Sequence, residues 1–233
     1  VGPSAAHLWQ MPVAADNETL ARQPVNLAST TMRPRKTTRV RYRKIGRPHE
    51  GSVVELSTDF GTVRVTDQLT TALDLARWAT LDDAVRALDD GLQQETFTVD
   101  EIADRLGEMN RVVGVDKMRE AVRLASPGSE SPRETDLKLL FHELGLGVPW
   151  QQVDIQSRSG LWIGRVDFFF PEVGLIIEYD GRDEETLAES MRGYRGTLDE
   201  YMKEIAEKHY YIEAQLWSDD YCAGYTHLPY IQK

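Results

Sequence analysis

The 233-residue chain has one cysteine, Cys222, which excludes an internal disulfide and leaves no cysteine cluster for zinc. Its five histidines (His7, His49, His142, His209 and His227) are scattered without ligand spacing. No apolar run approaches the roughly 18 residues that a membrane span needs. No signal peptide is visible either, so a cytoplasmic protein with no membrane partner is expected. Internal repeats are absent. Net positive charge is also lacking: the formal charge is −11, whereas a phosphate-binding surface is basic. The chain opens on Val1 rather than Met, which leaves open whether a further N-terminal module precedes it.

What is there is a chain with 41% hydrophobic residues, enough for one large core or two small ones. Its charge is unevenly spread. Residues 1–50 carry nine Lys/Arg against three acids, while residues 51–130 carry eight against 16. The stretch "MRPRKTTRVRYRKIGRP" holds eight basic residues, among them Arg33, Arg35, Lys36, Arg39, Arg41, Arg43, Lys44 and Arg47. Its middle alternates, which predicts a strand with Arg39, Arg41 and Arg43 on one face and Val40 and Tyr42 on the other. Such a face suits a DNA backbone. It equally suits docking onto the acidic surface of 51–130 or 183–190.

"PSAAHLWQM" predicts a short helix, and "SVVELSTDFGTVRVT" predicts two strands around Asp59-Phe60-Gly61, so residues 1–65 read as a small β-rich unit. Helices follow: one opened by Thr66, one opened by Thr80, one behind the capping box "TVDE" at 98–101, and one over 114–125. "SPGSESP" (126–132) has linker composition. The boundary therefore falls between 1–128 and 129–233. Ser131-Pro132-Arg133-Glu134 has N-cap, first-turn proline and capping-box spacing, so Glu134 has a purely structural explanation. Strands near 150–156, 161–170 and 175–180, a helix through "TLDEYMKEIAEKH" and a last strand through "YYIEAQLW" complete an α/β pattern.

"GRVDFFFPEVGLIIEYDG" (164–181) places acids inside two apolar strands. With Pro171–Gly174 as the turn, Phe170 pairs with Leu175, Phe168 with Ile177, and Asp167 with Glu178, while Arg165 lies across from Asp180. Val166, Phe168 and Phe170 then share one face; Asp167, Phe169, Ile176 and Glu178 share the other. Two carboxylates directly opposite repel, and half-burial worsens this. A shared proton, a cationic side chain such as Arg165, or a divalent ion can offset the repulsion. Mg²⁺ (or Mn²⁺) suits one or two carboxylates plus phosphate oxygens.

The segment "SPRETDLKLLFHELGLGVPWQQVDIQSRSGLWIGRVDFFFPEVGLIIEYDG" resembles the nuclease-like domain of short DNA-repair-type endonucleases (very-short-patch-repair-like, PD-(D/E)XK-type). These belong to the restriction-endonuclease-like superfamily. The order is helix with Glu, strand with Asp, turn, then strand with Glu-x-Asp-Gly. The upstream half is similar to actinobacterial abortive-infection antitoxin or transcriptional-regulator proteins, in which a winged helix usually comes first. The resemblance implies an α/β fold: a C-terminal restriction-endonuclease-like mixed sheet flanked by helices, preceded by a smaller β-then-α N-terminal domain.

Carried over by position, Asp167 and Glu178 are the metal-binding acids and Glu134 is the acid of the first helix. The superfamily's usual lysine two residues after the second acid is replaced by Asp180, and Lys203 or Lys208 is a candidate for its role. The implied activity is Mg²⁺-dependent DNA endonuclease chemistry, in phage defence or DNA repair, with catalytic residues Asp167, Glu178, Asp180, Glu134 and Lys203. DNA would be bound by Arg35, Lys36, Arg39, Arg41, Arg43 and Lys44. The competing expectation is a catalytically degenerate DNA-binding regulator or antitoxin. A module that neutralises a cognate toxin, or binds another protein partner, through its acidic surface is the third.

Overall fold

The computed structural model of the chain describes residues 1–14, 19, 22–29, 37–45, 51–156, 162–172, 174–179 and 214–216, with 156, 163 and 214–216 as backbone. The architecture is mixed α/β, and the chain divides into two units, Val1–Pro132 and Arg133–Lys233. The helix expected through "TLDEYMKEIAEKH" lies outside the described residues, as do Arg33, Arg35, Lys36, Arg47, Asp180, Lys203, Lys208 and Trp217.

In the first unit, helix α1 (Pro3–Leu8) is followed by strands β1 (Val25–Ser29), β2 (Val40–Lys44), β3 (Val53–Thr58) and β4 (Gly61–Thr66). The described strands of residues 1–65, read from composition as a small β-rich unit, fall into two sheets. β1 and β2 pair in parallel, whereas β3 and β4 form a separate antiparallel hairpin. The parallel pair explains the difference: β2 finds its partner in β1, a strand that the residue pattern does not announce, and not in the hairpin.

Four helices follow: α2 (Gln68–Trp78), α3 (Leu81–Gln93), α4 (Val99–Glu108) and α5 (Val115–Leu124). Asp67, not Thr66, caps α2, accepting from the Thr70 amide at 2.7 Å. Thr66 instead ends β4 and shares a buried hydroxyl contact with Thr71 at 2.8 Å. Arg105 of α4 fixes this junction, donating to Asp67 at 2.9 Å, to Ser52 at 2.8 Å and to Thr70. Thr80 caps α3, and Thr98 with Glu101 closes the full capping box of α4, each cap being worth about 1 kcal/mol.

A single apolar stripe does not describe α2. Leu69 through Ala76 are all buried, because α1, α3 and α5 pack around it. That burial takes in charge: Asp74 pairs with Arg77 at 2.8 Å, and on α3 Asp83 pairs with Arg86 at 3.0 Å. Asp89 accepts from the Ser126 amide at 2.7 Å and the Ser129 hydroxyl at 2.9 Å. The Ser/Pro/Gly stretch at 126–132 is thus latched to α3 despite its linker composition. Three acids counted toward an acidic surface, Asp74, Asp83 and Asp89, are interior.

The second unit opens with helix α6 (Pro132–Glu143) and continues with β5 (Trp150–Gln156), β6 (Trp162–Phe170), β7 (Leu175–Ile177) and β8 (Ala214–Leu216). α6 ends in a paired-bond stop: the Leu146 amide reaches the Phe141 carbonyl and the Gly145 amide reaches that of His142, with Gly145 at φ 73°. The four described strands lie in the order β5-β6-β7-β8 and pair antiparallel throughout, where a mixed sheet was expected. β5, β6 and β7 form a meander, which can only be antiparallel, and β8 runs antiparallel to β7 as well.

Two predictions concern α3. A methyl group at Gly91 would lie 2.1 Å from the Phe97 ring. Helix propensity favours Gly91→Ala by about 1 kcal/mol, but overpacking costs about 1–3 kcal/mol. A lower denaturant midpoint is therefore expected. The Asp90 carboxyl is pushed above its ordinary value by burial, against a hydrogen bond from Gln94. Its ionised form destabilises the fold, a penalty absent below the unfolded-state value and complete above the raised folded one. Asp90→Asn should melt higher than the wild type at pH 7–8, and the difference should vanish near pH 3.

Candidate functional site

The turn at 171–174 sets the register. Phe168 pairs with Ile177, Phe169 with Ile176 and Phe170 with Leu175, with Gly174 at φ 62°. β7 stops at Ile177, short of the expected 180, because the next ladder donor is captured. The Tyr179 amide donates to Asp167 Oδ2 at 2.7 Å rather than to a β6 carbonyl. Glu178 follows β7 directly, where the register sets it across from Asp167.

On the other side of β6, Trp150 pairs with Phe169, Gln151 with Phe168 and Val153 with Val166, but the rung between Gln152 and Asp167 is missing. Gln152 sits at φ 53°, a left-handed conformation that a side chain rarely adopts. Alternation breaks here. Val166 packs with Phe169, Ile176 and Ile155, with Trp150 and Val153 beside them. The spacing is three residues on both strands, not two. Val166 therefore does not simply share the face of Phe168 and Phe170, as strict alternation required. Those two rings meet Phe141 of α6 edge-on, at centroid separations of 5.4 and 5.2 Å.

At the break, one nitrogen joins two acids. Gln152 Nε2 donates to Glu134 Oε2 at 3.1 Å and to Asp167 Oδ1 at 3.3 Å. Glu134, on the first turn of α6, is only 7% exposed, so its carboxylate belongs to this cluster. Lys138, one helical turn further on, is 3% exposed. Glu134, Lys138 and Phe141 follow the i, i+4, i+7 spacing of one helix face.

The structure thus brings Glu134 and Asp167 together and leaves Glu178 at the neighbouring position. Asp180 and Lys203 lie outside the described residues. Among the described residues, no group of three or more His, Cys, Asp or Glu is close enough to hold a metal ion. Arg165, weighed as the bridging cation, is exposed and lies across from Asp154. Sequence reasoning missed Gln152 and Lys138. A doubled glutamine in a strand and a lysine four residues after a first-turn glutamate are the only traces they leave.

The basic strand is divided. Arg39, just before β2, and Arg41 and Lys44 within it are exposed. Arg43 is engaged internally: its Nε donates to Asn26 Oδ1 at 3.0 Å, and its guanidinium lies 5.3 Å from the centre of the Trp78 ring. Arg77 approaches the same ring at 4.4 Å. Burial, then the charges of Arg41 and Arg77, lowers the Arg43 value from its usual range. The face expected to be wholly cationic turns inward at Arg43. On β1, Asn26 and Ala28 lie across from Arg41 and Arg43, while the exposed Val25 and Leu27 lie across from Val40 and Tyr42.

No family model matches the chain, and no solved structure gives a significant match. Two proteins of Mycobacterium tuberculosis do: uncharacterized protein MT2308 of strain CDC 1551 / Oshkosh and uncharacterized protein Rv2248 of strain H37Rv. Each is 29% identical over 140 residues, covering 58% of this chain and 51% of the relative. The chain spans about half the length of these curated relatives.

The division within β2 is testable. Arg41→Ala with Lys44→Ala should leave the melting temperature unchanged. If the strand contacts a DNA backbone, the pair should also lower affinity and reduce the salt slope by about one per lost phosphate contact. Arg43→Ala should lower the melting temperature, because it removes the Asn26 bond and the Trp78 stack.

Proposed function

We propose that the chain is a metal-dependent DNA endonuclease-like protein that hydrolyses phosphodiester bonds, in a setting of phage defence or DNA repair. In this reading the second unit is a restriction-endonuclease-like domain. The observation that carries it is the convergence of Glu134 and Asp167, from a helix and a strand far apart in sequence, on one amide nitrogen. Two buried or half-buried acids brought that close repel one another. A fold built for stability alone has cheaper residues for such a place.

The donor set fits a hard divalent ion, Mg²⁺ or Mn²⁺. Its oxygens are carboxylates, and such ions bind through one or two of them, with water and substrate phosphate completing the shell. Asp167 and Glu134 would hold the ion, with Glu178 beside Asp167. When bound, such an ion polarises a phosphodiester oxygen and makes water a stronger acid.

The chain's own groups do the rest. The Tyr179 amide pins one oxygen of Asp167 and leaves the other turned toward Gln152. Glu134 rides on a helix anchored by Phe141. In the hydrolysis, a water oxygen bonds to phosphorus as a P–O ester bond breaks; a carboxylate of the cluster would take the water's proton, and the departing ester oxygen leaves as an alcohol after taking up a proton. Lys138, buried on the same helix face as Glu134, joins Lys203 as a candidate for the cation that steadies charge on the phosphate.

Asp180, standing where the superfamily places a lysine, favours a second reading: a catalytically degenerate DNA-binding regulator or antitoxin that acts with a cognate toxin or other protein partner. The exposed Arg39, Arg41 and Lys44 would then carry the function. Turnover separates the two. Purified protein with Mg²⁺ or Mn²⁺ should nick or cut duplex or single-stranded DNA, and Asp167→Ala should reduce this to background while the melting curve stays cooperative. Salt-sensitive DNA binding without cleavage by the wild type would establish the regulator.

A further inference from the structure

We infer that Gln152 is a positioning residue of this site: its side-chain amide, aimed by a left-handed backbone, spaces Glu134 and Asp167 for one hard divalent cation. This rests on the nuclease reading above and adds to it a residue that touches neither substrate nor ion.

The backbone is the first argument. Glutamine gains nothing from φ 53°, a region that glycine enters freely. Strained conformations persist where the surroundings over-determine them, and they gather at functional sites. Here the strain coincides with the missing rung between Gln152 and Asp167 and with the break in side-chain alternation. The neighbours Gln151 and Val153 keep their ladder partners Phe168 and Val166, so this break falls at the glutamine that reaches the acids.

The chemistry of the donor is the second. An ionised carboxylate only accepts, so the side chain must present its NH₂ group, which has two hydrogens, to Glu134 and Asp167. A lysine or arginine there would hold the acids more strongly but would cancel their charge and compete with a cation. A neutral amide separates the carboxylates without adding charge of its own. Asp167 is held from the opposite side by another neutral donor, the Tyr179 amide. Outer groups of this kind typically change metal affinity 10–100-fold when removed.

The test is Mn²⁺ binding to the full chain, by calorimetry or by loss of the free-ion electron paramagnetic resonance signal. Melting curves are recorded for the wild type, Gln152→Gly, Gln152→Glu and Asp167→Ala. Gln152→Gly tolerates φ 53° and should melt near the wild type yet bind Mn²⁺ about 10–100-fold more weakly. Gln152→Glu, nearly the same shape, crowds a third negative group against the two acids. It should melt lower without Mn²⁺ and show a larger Mn²⁺-induced rise than the wild type.

Gln152→Gly binding Mn²⁺ as tightly as the wild type overturns the inference and leaves the nuclease reading standing. If the glycine variant does not fold, a Mn²⁺-induced rise in Gln152→Glu no larger than the wild type's overturns it instead. A wild type that binds Mn²⁺ no better than Asp167→Ala overturns the reading beneath it as well.

Discussion

Electrostatic repulsion between two acids held near one another is the constraint around which the second unit is arranged. Unrelieved, it would drive Glu134 and Asp167 apart and pull the start of α6 away from the sheet. Two neutral dipoles, the Gln152 side-chain amide and the Tyr179 backbone amide, contribute relief, and each donation coincides with a local change in the sheet. One leaves a strained residue and a missing rung; the other ends a strand. Two irregularities of the sheet thus lie on either side of Asp167, apart from the register shift at Ile155/Gln156.

The first unit handles charge differently. Its interior acids meet full cations or serine donors within the same or a neighbouring element: Asp74 with Arg77, Asp83 with Arg86, and Asp89 with Ser126 and Ser129. Such pairing fixes helix positions and leaves little residual field. The Arg43 and Arg77 guanidiniums against Trp78 tie β2 and α2 together in the same manner.

Local signals were legible in the residues. The box at Thr98–Glu101 is written in a four-residue motif, and the Pro171–Gly174 turn fixed the β6–β7 pairing because only one register keeps the apolar residues paired. Asp167 and Glu134 were visible as candidates. Gln152 was not: its role depends on a backbone twist that no periodicity encodes, and on a helix 18 residues upstream. α6 also hides its buried face from a hydropathy pattern, because Glu134 and Lys138 occupy positions where an apolar stripe would be sought. The parallel β1–β2 pair was equally silent, since pairing across an intervening stretch leaves no turn motif.

Most strands stop at a proline, a glycine or a change of direction. β7 stops at a charge. The register that sets Phe168 across from Ile177 would bring Tyr179 opposite Val166, and nothing in Glu178 or Tyr179 forbids extended backbone. Instead, the Tyr179 N–H is claimed by a carboxylate oxygen of Asp167 at the point where the hairpin would zip on. The length of this strand is therefore a chemical variable rather than a fixed property of the turn. Whatever draws Asp167 elsewhere hands two more residues back to the sheet.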